Sequence, residues 1–224
     1  MGKEMKNAAL KKIKDKIQPP PPPPPPEVKV TEATEAMQEV LKQRLSKERY
    51  EHSTRVAKEC KRLAEIYHVN ADIAEFTGMV HDICKEMKSE EQEPLLKASE
   101  GFEITDEEWA SKKLWHGIAG AQMLKQQYRV GNQTILNAVR YHTVARKGMT
   151  TLEKIVYLSD MTEEGRSFID VHVLRNAVNR DLDLGMYYAL RISIEKVMQK
   201  GGLLPRHTIE AYNQYVAIVA AMKS

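Results

Sequence analysis

Cysteine, large aromatic residues and long apolar runs are scarce in this chain of 224 residues. Its two cysteines, Cys60 and Cys84, form no CxxC pair, which argues against a disulfide framework and indicates two reduced core thiols. No apolar run approaches the roughly 20 residues that span a bilayer, so no transmembrane helix is expected. The N-terminus also lacks the apolar segment of a secretion signal. The sequence therefore predicts a soluble, cytoplasmic protein.

The composition favours helices over sheets. Only three Phe and two Trp are present, and hydrophobic residues make up 42% of the chain. Ala, Leu, Met, Lys and Glu, which are good helix formers, are frequent. From Thr31 onward apolar residues recur with the period of amphipathic helices, and no alternating strand pattern is present. We predict an all-α helical domain over residues 31–224.

Positive charge is concentrated at the N-terminus. The formal net charge is +3, and residues 1–18 hold six lysines against one aspartate and one glutamate. The rest of the chain is therefore close to neutral. It predicts no basic face of the kind that binds nucleic acid.

An unbroken run of prolines, Pro19 to Pro26, separates this basic segment from the rest of the chain. Such a run forms a stiff polyproline II rod. We predict that residues 1–30 are a disordered leader and linker. Two alternatives stay open. The basic segment could form an amphipathic helix that contacts an anionic membrane or a partner, and the prolines could dock on an aromatic-lined groove.

Helix limits follow from apolar stripes and from capping or breaking residues. Asn70 is expected to cap a helix whose apolar stripe runs to Cys84. The charged stretch over residues 88–113 predicts loops and short helices. One long helical region is expected over residues 171–200, where a glycine pair ends it.

Six polar residues stand where these helices would bury apolar side chains. They are His52, His81, Asp82, His116, His142 and Asp160. A buried polar group costs about 2–7 kcal/mol unless it is hydrogen bonded, and gathering all six around metal would satisfy them together. Singly, each has a simpler explanation, as a hydrogen-bonded core histidine or as an aspartate that caps a helix or pairs with Arg166. Their occurrence on separate helices favours a metallohydrolase.

The adjacent pair His81–Asp82 lies at the centre of this set. Neighbouring helix residues point about 100° apart, so both reach one centre only from a helix end or a local distortion. An aspartate can bridge two cations through its two oxygens, and neutral imidazoles complete the coordination. Six ligands exceed what one catalytic metal takes, so two metals that share Asp82 are favoured. Two such cations clamp a phosphoryl group for in-line attack.

A lone histidine, a His-Asp pair and a later aspartate resemble the HD-domain metal-dependent phosphohydrolases, which are helical bundles. The surrounding motifs are more specific. They read Arg49-Tyr50-Glu51-His52-Ser53, His81-Asp82-Ile83-Cys84-Lys85, His116-Gly117, His142-Thr143, residues 153–160 and residues 163–166. Over about Leu45 to Tyr215 they resemble the bacterial YqeK group of symmetrical diadenosine tetraphosphate hydrolases. Lys147 and Glu164 each replace a proline of the group, which changes loop stiffness rather than a ligand.

The resemblance implies two divalent metal ions. Iron is the usual metal of the group, although imidazole and carboxylate ligands also accept manganese and zinc. One ion would be held by His52, His81 and Asp160 and the other by His116 and His142, with Asp82 bridging the two. The reaction would cut the tetraphosphate at its middle and release two ADP. The resemblance also implies that the protein is a homodimer.

Five further residues are candidate contacts to the substrate. Lys85 would place a catalytic cation beside the negative charge that develops on the phosphoryl group. It shares a helix face with the His-Asp pair if the helix continues as far as Lys85. Arg49 and Arg166 would contact phosphate. Gly117 and Thr208 are candidates for backbone donors to phosphate, with packing and helix geometry as the structural alternatives.

Two other functions fit the same residues. One is hydrolysis of another nucleotide, such as a nucleoside di- or triphosphate, a cyclic dinucleotide or an alarmone. The Gly-Tyr-Pro signature of the cyclic di-GMP branch is absent, which argues against that substrate. The other is a non-catalytic, nucleotide-sensing scaffold that works through the leader. The six intact ligand positions argue against a degenerate domain.

Overall fold

The structure is a computed structural model that describes residues 30–99 and 101–222. Over these residues the chain forms α-helices, one 3-10 helix and no β-strand, which confirms the all-α prediction. Residues 1–29 of the predicted leader, with its basic segment and Pro19–Pro26, lie outside the described residues, and Val30 is the first residue of a helix. None of the helices in the two described ranges combines the length and apolarity that crossing a bilayer requires.

The α-helices range from 5 to 20 residues and follow one another closely. In chain order they are α1 (Val30–Arg44), α2 (Lys47–Ile66), α3 (Ala71–Val80), α4 (Ser89–Lys97), α5 (Asp106–Ala110), α6 (Trp115–Gln126), α7 (Gln133–Tyr141), α8 (Thr151–Thr162), α9 (Val171–Arg180), α10 (Leu182–Gln199) and α11 (Arg206–Ala221). The 3-10 helix Lys112–Leu114 precedes α6. The charged stretch over residues 88–113 therefore holds short helices and loops, as predicted.

Side-chain caps define the starts of several helices. Ser46 caps α2. At the start of α3 the side chain of Asn70 accepts a hydrogen bond from the Ile73 N–H, as predicted. Thr150 and Glu153 form a capping box at the start of α8. Because each cap satisfies backbone donors that a helix end leaves unpaired, these helices begin at defined residues.

On the inner face of α2, Val56, Cys60 and Leu63 are fully buried. Gly78 of α3 lies against this face. A Cβ atom at Gly78 would come within 2.8 Å of Cys60 Sγ and 2.9 Å of Ala57 Cα, so the glycine permits close approach of the two helices. Helix α8 packs against both α2 and α3. The three helices therefore share one core.

Helix α3 is shorter than predicted. It ends at Val80, whereas the stripe predicted a helix that reaches Cys84. The next six residues form turns, in which the Lys85 N–H donates to the Asp82 carbonyl at 2.8 Å. These local turn hydrogen bonds replace the helical ladder. The pair that begins with His81 thus lies at a helix end, one of the two arrangements that its adjacency required.

The predicted helical region over residues 171–200 consists of two helices. Asp181 has an extended backbone, with φ −163° and ψ 131°, and separates α9 from α10. Its carboxylate accepts hydrogen bonds from the N–H groups of Asp183 and Leu184, and so caps α10. An aspartate that caps a new helix competes with continuation of the old one.

A fully buried ion pair joins α5 to α7. Arg140 Nη1 lies 2.7 Å from Glu108 Oε1, and neither side chain reaches solvent. Arg140 also donates to the Glu103 carbonyl at 2.6 Å, and His207 Nε2 of α11 lies 3.7 Å from Glu108. Charges in a protein interior need such partners. The pair therefore fixes the segment before α6 against the helix that precedes His142.

Candidate metal centre

The structure brings the six candidate ligands together. His52 lies on α2, His81 and Asp82 follow α3, His116 lies on α6, His142 follows α7 and Asp160 lies on α8. The side chains of the first five are at most 7% exposed, which confirms their inner position. The side chain of Asp160 is 24% exposed. The cluster is therefore buried, and Asp160 is its most accessible member.

Asp82 divides the histidines between its two carboxylate oxygens. Oδ1 lies 3.3 Å from His116 Nε2 and 3.4 Å from His142 Nε2. Oδ2 lies 3.5 Å from His81 Nε2 and 3.9 Å from His52 Nε2. The carboxylate thus stands between two pairs of imidazoles, which is the arrangement that a bridging ligand requires.

Each side of Asp82 has its own close contacts. On one side, Asp160 Oδ1 lies 3.0 Å from His52 Nε2 and 4.0 Å from His81 Nε2. On the other side, His116 Nε2 lies 3.2 Å from His142 Nε2. Two ring nitrogens at that distance cannot both carry a proton and still bond each other, so at least one presents a lone pair.

Backbone carbonyls orient two of the imidazoles. His81 Nδ1 lies 2.6 Å from the Gly78 carbonyl, and His142 Nδ1 lies 2.7 Å from the Val139 carbonyl. Because a carbonyl only accepts, each Nδ1 carries the proton. The lone pair is then on Nε2, which faces the cluster. Holding the outer nitrogen in this way is the usual means by which proteins orient a metal-binding histidine.

The most buried imidazoles are neutral at physiological pH. Burial lowers the pKa of His81 to about 4, and burial likewise lowers the pKa of His116 to about 4. The charged form is disfavoured because the interior solvates it poorly. Neutral imidazole is the form that binds a metal ion.

The two aspartates are ionised in spite of burial. Burial acts to raise the pKa of Asp82, but the imidazoles of His81 and His116 outweigh it and hold this pKa well below its usual value. In Asp160 burial is likewise outweighed, chiefly by the imidazole of His52, and the pKa is lowered. Neutral imidazoles and ionised carboxylates together form a donor set for a divalent cation.

Buried lone pairs in the cluster lack partners. His81 Nε2 and Asp82 Oδ1 are buried and make no hydrogen bond with any described residue. Leaving such a group unsatisfied costs about 1–3 kcal/mol. Two trios present ligand atoms within 4.8 Å of one another, namely His52, His81 and Asp160, and His81, Asp82 and His142. A divalent cation fits this cluster because it would satisfy the converging lone pairs.

Three predicted substrate contacts form a cationic rim around the cluster. Arg49 Nη1 lies 2.9 Å from Asp82 Oδ2. The guanidinium of Arg166 pairs with the Asp160 carboxylate, and its Nε donates to the Asp160 carbonyl at 2.7 Å. Lys85 reaches the cluster although no helix continues to it, with Nζ 3.2 Å from His116 Nε2. All three are placed where they could meet a phosphate.

The other two predicted contacts have structural explanations. A Cβ atom at Gly117 would lie 3.0 Å from the Arg140 carbonyl oxygen, so the glycine lets α6 pack closely on α7. The Thr208 hydroxyl donates to the Val144 carbonyl at 2.7 Å, and its N–H donates to the Pro205 carbonyl at 3.0 Å. Both donors of Thr208 are thus engaged within the protein. This pairing leaves no donor of Thr208 for a phosphate.

Sequence reasoning missed a carboxylate behind His52. Glu163 Oε1 lies 3.2 Å from His52 Nδ1, and the buried Glu163 also accepts a hydrogen bond from Arg55 Nε at 2.7 Å. Burial acts to raise the pKa of Glu163, but Arg55 outweighs it and keeps the pKa low. The only sequence signal was that Arg55 follows His52 by three residues and Glu163 follows Asp160 by three. Nothing in the sequence joined Arg55 to Glu163.

Comparisons with known proteins identify the family. Residues 49–165, just over half of the chain, match the HD domain family. The chain is 30% identical over 178 residues to a symmetrical bis(5'-nucleosyl)-tetraphosphatase of Bacillus subtilis, covering 79% of this chain and 94% of that protein. It is 29% identical over 184 residues to the enzyme of the same name from Staphylococcus aureus, covering 81% and 93%.

A comparison with a solved structure indicates the same family. The crystal structure of an HD superfamily hydrolase from Clostridium acetobutylicum is 35% identical, with a TM-score of 0.78, and the match covers 82% of this chain and 96% of that one. HD domains bind divalent metal, and the matched region contains all six candidate ligands. The chain therefore belongs to the HD domain family, in the group that contains the symmetrical bis(5'-nucleosyl)-tetraphosphatases.

Proposed function

We propose that this protein is a metal-dependent phosphohydrolase that cleaves diadenosine tetraphosphate symmetrically to two ADP. The observation that carries the proposal is the position of Asp82, whose two oxygens face different pairs of imidazoles. The substrate is inferred from the relatives named symmetrical bis(5'-nucleosyl)-tetraphosphatase, which align over most of the chain.

The proposed ligand assignment uses all six residues. His52, His81 and Asp160 hold one divalent ion, His116 and His142 hold a second, and Asp82 contacts both. We propose iron as the metal, with manganese and zinc as alternatives that the same donors accept. When bound, the ions supply Lewis-acid chemistry for hydrolysis of a phosphoanhydride, including an activated water.

The chain's own cations have a separate role in this proposal. Arg49 and Arg166 pair with the cluster carboxylates in this structure, yet each guanidinium has further N–H donors for phosphate oxygens. Lys85 is exposed on its outer side and places a positive charge beside His116. A fixed cation at this point stabilises negative charge that builds up on the phosphoryl group in the transition state.

The reaction balances without any other reactant. Water adds to a phosphorus beside the central bridging oxygen, and the bond between that phosphorus and the oxygen breaks. One ADP leaves with the bridging oxygen, and the other keeps the oxygen of the water. Arg49 and Arg166 lie on the side of His52, His81 and Asp160, because Arg49 pairs with Asp82 Oδ2 and Arg166 with Asp160. Lys85 lies on the other side, beside His116. Cations on both sides suit a substrate whose phosphate chain crosses the cluster.

A nucleotide panel tests this proposal. The full-length protein, stripped with chelator and reconstituted separately with iron, manganese or zinc, is incubated with diadenosine tetraphosphate, ATP, GTP and a cyclic dinucleotide. We expect diadenosine tetraphosphate to be turned over fastest. Faster turnover of any other member would assign the protein to that nucleotide instead.

A lysine pair separates the role of Lys85 from metal binding. Lys85→Met should slow turnover by about two orders of magnitude, as loss of one charge-stabilising group does, while bound metal is retained. Lys113→Met is the matched control, since Lys113 is also an exposed lysine and no ligand contact involves it. Loss of metal in Lys85→Met would instead give Lys85 a structural role.

Three further proposals concern the compartment, the oligomeric state and the leader. We propose that residues 31–224 act as one cytoplasmic unit that self-associates as a homodimer, and that the leader is accessory. Light scattering coupled to size-exclusion chromatography tests the dimer. Deleting residues 1–26 tests the leader, because full activity after the deletion is expected and loss of hydrolysis would contradict it.

A further inference from the structure

A cavity opens beside the cluster at its most exposed ligand. It has a volume of about 700 Å³ and lies between the segment after α8 and helix α10. Its lining includes Asp160, Arg166, Phe168, Ile169, Lys196 and Lys200. Pockets for small ligands have volumes of about 300–1,000 Å³, so the space suits a group of nucleotide size.

The cavity gives access to the cluster. The Asp160 side chain is 24% exposed, whereas the other five ligand side chains are at most 7% exposed. Met161, the next residue, also lines the cavity, and its Sδ lies 3.8 Å from Ser193 Oγ of α10. Helix α10 runs on from Ser193 to Lys196, one turn away. A group that enters beside α10 therefore reaches the cluster at Asp160.

The charges on α10 suit a phosphate chain. Lys196 and Lys200 lie one turn apart on the wall of the cavity, and both are exposed. Neither forms an ion pair with any residue in the described ranges. Glu195, which also lines the cavity, is paired with Arg191 at 3.6 Å. Together with Arg166, these lysines provide a row of cations that leads away from Asp160.

The opposite wall carries two apolar side chains, beside Ser167 and Asp170. Ile169 is 92% exposed, and Phe168 beside it is half-buried. Both line the same cavity as the lysines. An exposed apolar residue beside a cationic wall matches a ligand with one flat apolar end and one anionic end. A nucleoside diphosphate has this shape and charge.

We infer that this cavity binds one ADP half of the dinucleoside tetraphosphate, with the phosphates on Arg166 and Lys196 and the adenine against Phe168 and Ile169. This inference rests on the proposed function and deepens it. Because the half-substrate is also the product, ADP itself is the probe. The central bridging oxygen would then lie at the cluster, and the second half would extend past Lys85.

Two substitutions at exposed positions test the inference without disturbing the core. Lys196→Glu reverses a charge on the cationic wall, and Ile169→Asp places a charge on the apolar wall. Each should raise the dissociation constant for ADP, measured by isothermal titration calorimetry on the metal-loaded full chain, by about tenfold or more. Each should raise KM for diadenosine tetraphosphate similarly and change kcat little. Lys125→Glu, at an exposed lysine on α6, should leave both constants within about twofold.

The outcomes separate this inference from the proposed function. Unchanged ADP affinity in both Lys196→Glu and Ile169→Asp would overturn the subsite, even if the wild-type protein hydrolyses diadenosine tetraphosphate. If the wild-type protein binds ADP, the two variants lose it and no diadenosine tetraphosphate is cleaved, the subsite stands and the proposed function fails. An equal loss of ADP affinity in Lys125→Glu would show that the change in net charge, rather than the position of Lys196, weakens binding. That result would also overturn the subsite.

Discussion

Glu163 and Asp160 hold opposite nitrogens of the His52 imidazole. His52 Nδ1 lies 3.2 Å from Glu163 Oε1, and His52 Nε2 lies 3.0 Å from Asp160 Oδ1. Arg55 in turn donates to Glu163 at 2.7 Å, so a chain of three side chains fixes the ring. A carboxylate behind a histidine makes it a stronger ligand and fixes its orientation. We therefore expect Glu163 to set the affinity of the site for metal.

Removal of this carboxylate should weaken metal binding. Glu163→Ala should lower the affinity for a divalent metal by about ten- to hundredfold, measured by competition with a chromophoric chelator. Glu164→Ala is the matched control, because Glu164 is the next residue and its side chain is 67% exposed. Equal affinities in the two variants would show that Glu163 does not position His52.

Close packing around Gly117 predicts that a larger residue there lowers stability and metal content. A Cβ atom in Gly117→Ala would lie 3.0 Å from the Arg140 carbonyl oxygen and 3.2 Å from the Val139 carbonyl oxygen, which also accepts from His142. Because backbone atoms cannot move aside singly, overpacking of this kind costs about 1–3 kcal/mol. The melting temperature should fall by about 2–4 °C per kcal/mol, and bound metal should decrease.

Gly131→Ala is the control for this effect. A Cβ atom at Gly131 would meet no atom within 4 Å, so its melting curve should match that of the wild type. If Gly117→Ala had the wild-type melting temperature and metal content but weaker substrate binding, Gly117 would be a phosphate contact rather than a packing residue.

The buried pair Arg140–Glu108 predicts a large loss of stability. Arg140→Met should lower the free energy of unfolding by about 3–5 kcal/mol, because Glu108 is then left buried without its cation. Urea unfolding followed by circular dichroism measures this change. The double variant with Glu108→Gln should recover part of the loss, since the unpaired charge is gone. A double variant no more stable than Arg140→Met would contradict this reading.

Two buried groups predict sensitivity to alkali. Burial raises the pKa of Cys60 to about 12 and that of Tyr157 to about 12. In the unfolded chain both groups lose their protons at lower pH, so the unfolded state binds fewer protons between about pH 9 and pH 12. Stability is then fully present below about pH 9 and falls as pH rises through this window. Cys60→Ala should flatten the fall measured by urea unfolding, and an unchanged slope would contradict the assignment.

Much of the fold and of the cluster could be predicted from the sequence, because both depend on local patterns. Apolar periodicity gave the helical class and the inner faces, and the Asn70 cap gave the start of α3. The end of α3 at Val80 was not predicted, since its apolar stripe continues past the last helical residue. Periodicity records burial, and buried turns after a helix can carry the same apolar residues as the helix itself.

Partners across the core were harder to predict than the residues themselves. Glu163 and Arg55 are separated by over a hundred residues in the chain, so no local pattern connects them. The break at Asp181 was missed for a different reason, since an aspartate is tolerated within a helix and only its capping hydrogen bonds reveal the new start. The partners of Thr208 were equally hidden, since its hydroxyl donates to Val144, which is distant in the chain.

The central claim is that Asp82 joins two halves of one metal centre that splits diadenosine tetraphosphate at its middle. The most direct measurement is chromatography of the products formed by the metal-loaded wild-type protein, beside Asp82→Asn and the exposed control Asp72→Asn. We predict ADP as the sole nucleotide product of the wild type and of Asp72→Asn, with hydrolysis and bound metal both lost in Asp82→Asn. ATP and AMP among the wild-type products, or full activity in Asp82→Asn, would contradict the account.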